Sequence, residues 1–182
     1  MHSTIMKKIT CLLLLILFTL PAFAQVNSQT NTETTLIFVR HAEKQDDGTR
    51  DPSLTEIGEK RAQKLSELIT SSYNVSAIYS TGYKRTQQTA FPTSEVLNLS
   101  INEYQLSNPD SLIRSIIELH KGEHVLIVGH SNSTPTLVNA AINENRFEQL
   151  DESVYDNIFE VNIDETGETS VNRYTYWTQG KE

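Results

Sequence analysis

Cysteine is almost missing from this chain. Its 182 residues hold one, Cys11, inside a leader expected to be cleaved. Disulfides, thiolate metal sites and thiol catalysis are therefore excluded from the remainder. Positive charge is also scarce, with 15 Lys and Arg against 23 Asp and Glu and a formal net charge of −8. Such a surface repels nucleic acid and anionic lipid at long range, so neither is an expected partner. An anionic substrate would be repelled too, and any site for one must be a local basic pocket working against the global field. Internal repeats and low-complexity segments are absent, and no histidine follows His130.

The first 24 residues have a separate logic. Lys7 and Lys8 precede an apolar run from Ile9 to Leu20, and Pro21-Ala22-Phe23-Ala24 follows with small residues at Ala22 and Ala24. This is the order of a secretory signal peptide. The apolar core is too short to cross a bilayer, which takes roughly 20 residues. Cleavage is expected after Ala24, giving an exported, periplasmic protein that starts at Gln25 and is not inserted in a membrane. Without Lys7 and Lys8 the charge becomes 13 − 23, or −10. Residues 25 to 33, mostly Asn, Gln, Ser and Thr, read as a disordered lead. The stretch from 34 to 178 suits one domain with a sizeable core.

The best organised stretch is Leu36-Ile37-Phe38-Val39, an apolar run stopped abruptly by Arg40-His41-Ala42-Glu43-Lys44. It reads as a buried strand with Arg40 and His41 at its carboxyl end. His124 to Ser131 repeats the design and ends in Gly129-His130-Ser131. Between them, residues 45–53 read as a loop and a candidate lid. A helix opens at Ser53 or Thr55, with Ser53 and Glu56 at capping-box spacing and Ile57, Ala62, Leu65, Leu68 and Ile69 on one face. Val75 to Tyr79 is a strand, and a helix from about Tyr83 is interrupted near Pro92. A weak strand spans Leu99 to Tyr104. Ser107 or Asn108 caps a helix with Pro109 at its first position and a buried stripe of Leu112, Ile113, Ile116, Ile117 and Leu119. Thr134-Pro135 starts a last helix through Ile142, and residues 157–163 and 169–177 form a hairpin around Thr166-Gly167. Alternating strands and helices specify an α/β fold: a three-layer α/β/α sandwich, mostly parallel, with an antiparallel C-terminal hairpin at the edge.

Arg40-His41, Ser80 with Arg85, and Gly129-His130 each follow a strand, so the three ends can share one crevice. An imidazole can attack phosphorus if its other ring nitrogen is held by an acceptor. Arginine forks suit phosphoryl oxygens and stay charged. Two arginines and a second histidine would neutralise a phosphoryl group in transfer.

Arg40-His41-Ala42-Glu43-Lys44, Leu54-Thr55-Glu56-Ile57-Gly58, Ser80-Thr81-Gly82-Tyr83-Lys84-Arg85-Thr86-Gln87-Gln88-Thr89-Ala90 and Val128-Gly129-His130-Ser131 together resemble the ordered signature of the histidine phosphatase superfamily, with its phosphoglycerate mutase-like fold. The resemblance spans roughly residues 35 to 140. It implies a cofactor-independent phosphoric monoester hydrolase of the histidine acid phosphatase type, with phosphorylation of His41 and with Arg40, Arg85 and His130 on the phosphoryl group. Thr55, Ser80 and Ser131 become candidate substrate-binding residues. Its substrate would be a small phosphorylated molecule or a phosphoprotein; a mutase, a substrate that is itself a phosphohistidine or acyl phosphate, and a non-catalytic phosphate binder are the alternatives. The superfamily also uses a carboxyl group to protonate the leaving oxygen. One branch places a Glu after the third strand and another an Asp directly after the second histidine, where this chain has Ser131. Glu103, Asp110 and Glu43 are the candidate donors.

Three other readings compete. Gly129-His130-Ser131-Asn132-Ser133 approaches the nucleophile elbow of serine hydrolases, but Ser133 replaces the final glycine and no later histidine completes the triad. His41-Ala42-Glu43 resembles the start of a zinc deaminase motif without its cysteines. A metal held by His41, His130 and carboxylates is the third. The late aromatics Tyr155, Phe159, Tyr174, Tyr176 and Trp177 read as hairpin and core packing.

Overall fold

A computed structural model describes residues 33–177. The expected signal peptide over 1–24 and disordered lead over 25–33, Glu33 apart, lie outside the described residues. The elements follow as β1 (Thr34–Arg40), α1 (Glu56–Ser72), β2 (Val75–Ser80), α2 (Lys84–Leu97), β3 (Ile101–Glu103), α3 (Pro109–Leu119), β4 (His124–Gly129), α4 (Ser133–Ile142), β5 (Asn157–Ile163) and β6 (Thr169–Thr175). One six-stranded sheet has the order β3-β2-β4-β1-β5-β6. β1, β4, β2 and β3 pair in parallel, and β5 and β6 join antiparallel on the β1 side.

Every residue of β1 is buried, because its two faces feed two cores. Side chains alternate across a strand, so Leu36 and Phe38 pack with Ile113, Ile116, Leu137 and Val138 of α3 and α4. Ile37 and Val39 pack with Leu65 and Ile69 of α1 and Ala90 of α2. This is the three-layer sandwich that the sequence predicts. Each fully buried Leu, Ile or Phe adds about 1.5–3 kcal/mol to this arrangement.

The connections from β1 to β2 and from β2 to β3 step toward the β3 edge, whereas that from β3 to β4 steps back. Right-handed crossovers running in opposite directions place their helices on opposite faces. β1 and β4 are therefore neighbours from which the chain departs to different sides, and a crevice opens beyond their carboxyl ends. Arg40 pairs with Gly129 in register, so His41 and His130 emerge side by side.

Several boundaries differ from expectation. Thr55, not Ser53, caps α1, accepting a hydrogen bond from the Gly58 amide, and Ile57 is exposed. Helix α2 runs unbroken through Pro92. A proline there costs about 3 kcal/mol, and the buried stripe Thr86, Thr89, Ala90, Thr93 and Ser94 holds the helix against it. β3 shortens to three residues because it pairs with β2 alone. Asn108 caps α3 through the Ser111 amide, and Leu119 is outside the buried stripe at 71% exposure. α4 starts at Ser133, a residue before Thr134. β6 stops at Thr175, short of Trp177. The expected lid is pinned at its base by the Lys44–Leu54 bridge and the bond from Gln45 N–H to Ser53 O, and near its end by Asp51, which accepts from the Lys84 amide.

Candidate active site

The end of β1 is fastened to the end of β4 by a hydrogen bond from the His41 amide to the Gly129 carbonyl, 2.9 Å. The two imidazoles meet edge to face, with centroids 5.4 Å apart. His41 Nδ1 lies 2.7 Å from the Ala42 carbonyl oxygen. A carbonyl only accepts, so Nδ1 carries the hydrogen and Nε2 keeps its lone pair. No hydrogen bond among the described residues engages Nε2. Burial, aided by the charges of Arg40, His130 and Arg85, pushes the His41 pKa down to about 3. Burial and the same arginines bring His130 down to about 4. Both rings are neutral near pH 7.

Thr81 Oγ1 contacts His130 Nε2 and Thr86 Oγ1, each at 2.9 Å. Thr86 and Thr89 belong to the first turns of α2. Thr89 Oγ1 accepts from the Ala42 amide at 2.9 Å and donates to the Arg85 carbonyl at 2.7 Å. The spacing Arg85-Thr86-x-x-Thr89 thus turns one helix face into a bracket between both histidine-bearing strand ends. Arg85 stacks on Tyr83 at 4.4 Å, and the Tyr83 ring stands edge-on to His130 at 5.1 Å.

Arg40 is 1% exposed. Its Nη1 donates to the carbonyls of Asp151, Glu152 and Val154 at 2.9–3.1 Å, its Nη2 pairs with the Glu152 carboxylate, and its plane covers the Tyr155 ring at 4.2 Å. Three buried guanidinium N–H groups, Arg40 Nε, Arg85 Nε and Arg85 Nη1, have no hydrogen-bond partner within the protein. Asp51 lies 3.8 Å from Arg85 Nη1, an ion-pair distance and too long for a hydrogen bond. Buried unpartnered donors on cations are costly. A tetrahedral oxyanion beside His41 would satisfy them.

Glu103 ends β3 opposite Ser80. With Thr81, Tyr83, Leu106, His130 and Asn132 it lines a cavity of about 430 Å³. Its carboxylate packs against Gly82 so closely that a Cβ there would meet Oε1 at 2.6 Å.

Of the residues singled out by sequence, the structure brings Arg40, His41, Arg85, His130 and Glu103 together. Asp110 is elsewhere, lining a cavity between α3 and α4 with Arg114 and Asn143. Glu43 turns away to chelate buried Arg61 at 2.7–3.0 Å, and both its oxygens are engaged there. Thr55 is occupied by its cap and its bonds to the Glu43 carbonyl. Ser80 donates to the Thr81 carbonyl. Ser131 Oγ donates to Glu152 at 2.6 Å and His130 faces Thr81, so the serine-hydrolase triad is not formed. Among the described residues no group of three or more His, Cys, Asp or Glu could hold a metal ion. Tyr155, read as packing, stacks on Arg40 and lies 6.2 Å from His41. Glu152 was invisible in the sequence, since it comes from an irregular segment with no motif.

Fold and site thus define an α/β protein with a neutral, available imidazole beside a cationic cradle. The family model described as histidine phosphatase superfamily (branch 1) matches residues 36–105, which include Arg40, His41, Arg85 and Glu103. Over this segment, which is less than half of the chain, the sequence is similar to that superfamily. Among solved structures it resembles YhfR of Bacillus stearothermophilus, with 20% identity, TM-score 0.63, and coverage of 80% of this chain and 98% of that one. It also resembles a mycobacterial glucosyl-3-phosphoglycerate phosphatase, with 13% identity, TM-score 0.64, and coverage of 80% and 100%. A third is the protein histidine phosphatase SixA complexed with tungstate, with 17% identity, TM-score 0.62, and coverage of 78% and 96%. At these identities the likeness concerns the fold. No curated protein matched the chain by sequence.

Proposed function

We propose that the protein is an exported phosphatase that hydrolyses phosphomonoesters in two steps through His41. Nε2 attacks phosphorus, the bond to the leaving oxygen breaks, and Glu103 supplies the proton that this oxygen needs. Water then attacks the phosphohistidine and gives a proton back to the Glu103 carboxylate as the P–N bond breaks, releasing phosphate and restoring the neutral ring. The observation that carries this reading is the pairing of an available His41 Nε2 with three unpartnered buried guanidinium N–H groups. Because the His41 pKa is near 3, the nucleophile stays deprotonated well into acid, which supports the acid-phosphatase form of the activity. The acidic global charge and the leader of residues 1–24 support an exported enzyme acting on small molecules, without nucleic acid or membrane partners.

One experiment tests the core of this reading. His41→Ala is expected to abolish hydrolysis of an aryl phosphate and to leave no acid-labile phosphate on the quenched protein. Unchanged turnover in that variant would sink the proposal. Hydrolysis-free phosphate binding by the parent would instead leave a binding module. Export has its own check: the amino terminus of the mature protein should be Gln25 by mass spectrometry.

A further inference from the structure

The buried, unpartnered cationic donors of the site are three guanidinium nitrogens, Arg40 Nε, Arg85 Nε and Arg85 Nη1. Arg40 and Arg85 each already face a carboxylate, Glu152 and Asp51 respectively. The cavity that would receive the rest of the substrate is bounded by Tyr83, Tyr104, Leu106, Gln105 and Asn132, with Glu103 at its wall, and among the described residues no lysine or arginine lines it. Tyr83 and Leu106 are exposed, at 45% and 36%, and offer apolar surface. An additional anionic group placed here would find no counter-ion. It would also stand beside the carboxyl group of Glu103.

The geometry points to a substrate class: monophosphate esters whose alcohol is uncharged and partly apolar, with esters carrying a second carboxylate or phosphate excluded. This rests on the phosphatase reading and narrows it. It also disfavours a phosphoglycerate-type mutase cycle, whose substrate carries a carboxylate next to the phosphoester. The amides of Gln105 and Asn132 leave room for hydroxyl groups on the alcohol.

Binding of paired phosphonates to the whole protein, measured by calorimetry near pH 8, separates this inference from the catalytic one. Benzylphosphonate is expected to bind about tenfold or more tightly than 3-phosphonopropionate, the size of effect that an uncompensated like charge a few ångströms away produces. Gln105→Lys should shrink or reverse that ratio by supplying the missing cation. Equal or tighter binding of the carboxylate ligand by the parent, or binding of neither, overturns the substrate class. Failure of the catalytic reading looks different: the expected order of binding, with no phosphate ever trapped on His41 from benzyl phosphate.

Discussion

Two neutral imidazoles, His41 buried and His130 half-buried, beside two permanent cations make the folded state sensitive to acid. Their folded pKa values, about 3 for His41 and about 4 for His130, are below the unfolded value of about 6.5. Between these limits the unfolded chain binds more protons than the folded one, so stability rises with pH. The contribution is fully present above about 6.5 and is lost as pH falls through 4 and then 3, by at most about 1.4 kcal/mol per pH unit for each ring. Melting temperatures measured from pH 7.5 down to 4.5 should fall, and a His41→Asn, His130→Asn double variant should flatten the slope. Glu103 is tested by leaving group. Glu103→Gln should slow alkyl phosphates by about 10²- to 10⁴-fold and aryl phosphates with good leaving groups far less. Gly82→Ala should mimic it, because the new methyl occupies the place of the carboxyl. Equal losses on both substrate types would argue that Glu103 has another role. At this scale the site was legible wherever a strand ended in Arg-His or Gly-His, since an apolar run marks the place and the polar residue marks its end. Glu152 and Tyr155 had no such marker, and Glu103 was one carboxylate among several until β3 was registered against β2.

Helix α1 shows how the segment Leu54-Thr55-Glu56-Ile57-Gly58 is tied to the backbone beside His41. Gly58 adopts ordinary helical backbone, yet a Cβ on it would meet the Glu43 carbonyl oxygen at 2.3 Å. The helix start lies directly on the backbone two residues past His41, held there by the Thr55 amide bond to that same carbonyl. Gly58→Ala is expected to cost about 1–3 kcal/mol through overpacking, read from denaturant unfolding, and to lower kcat at the same time by displacing residues 41–43. Further along α1, Arg61 binds both Glu43 and the Trp177 carbonyl, tying the chain's last described turn to the active strand. Removing one member of a buried pair costs about 3–5 kcal/mol, so Arg61→Leu should destabilise more than Gly58→Ala. Long, strongly patterned elements were readable in advance because their periodicity reflects burial. The continuity of α2 past Pro92 was not readable, because tertiary packing rather than propensity decides it. Ser53 and Thr55 both satisfied the local capping rule, and only contact with Glu43 separates them.

For the whole molecule, the arrangement of connections places the crevice, and the charge balance sets how it is reached. The chain carries −8 overall, so a doubly charged phosphate ester approaches against a repulsive field. Adding inert salt screens that field, and kcat/KM should therefore increase modestly between about 10 and 150 mM ionic strength, opposite to an enzyme that steers its substrate. A fall over that range would show that the local cradle dominates at a distance. The right-handed crossover rule made this topology accessible from the order of elements; the loop from Asp151 to Tyr155, which reaches back across the molecule to Arg40, was not. That loop holds Arg40 mainly through three backbone carbonyls. Every amino acid offers a carbonyl, so the grip depends on the course of the main chain and hardly on its lettering. The side chains of Ser153 and Val154 can therefore change while the guanidinium stays in place. Saturation mutagenesis of Val154 should accordingly yield mostly active protein, whereas deleting one residue of the turn, or replacing Asp151, whose carboxylate accepts from the Ser153 amide, should not.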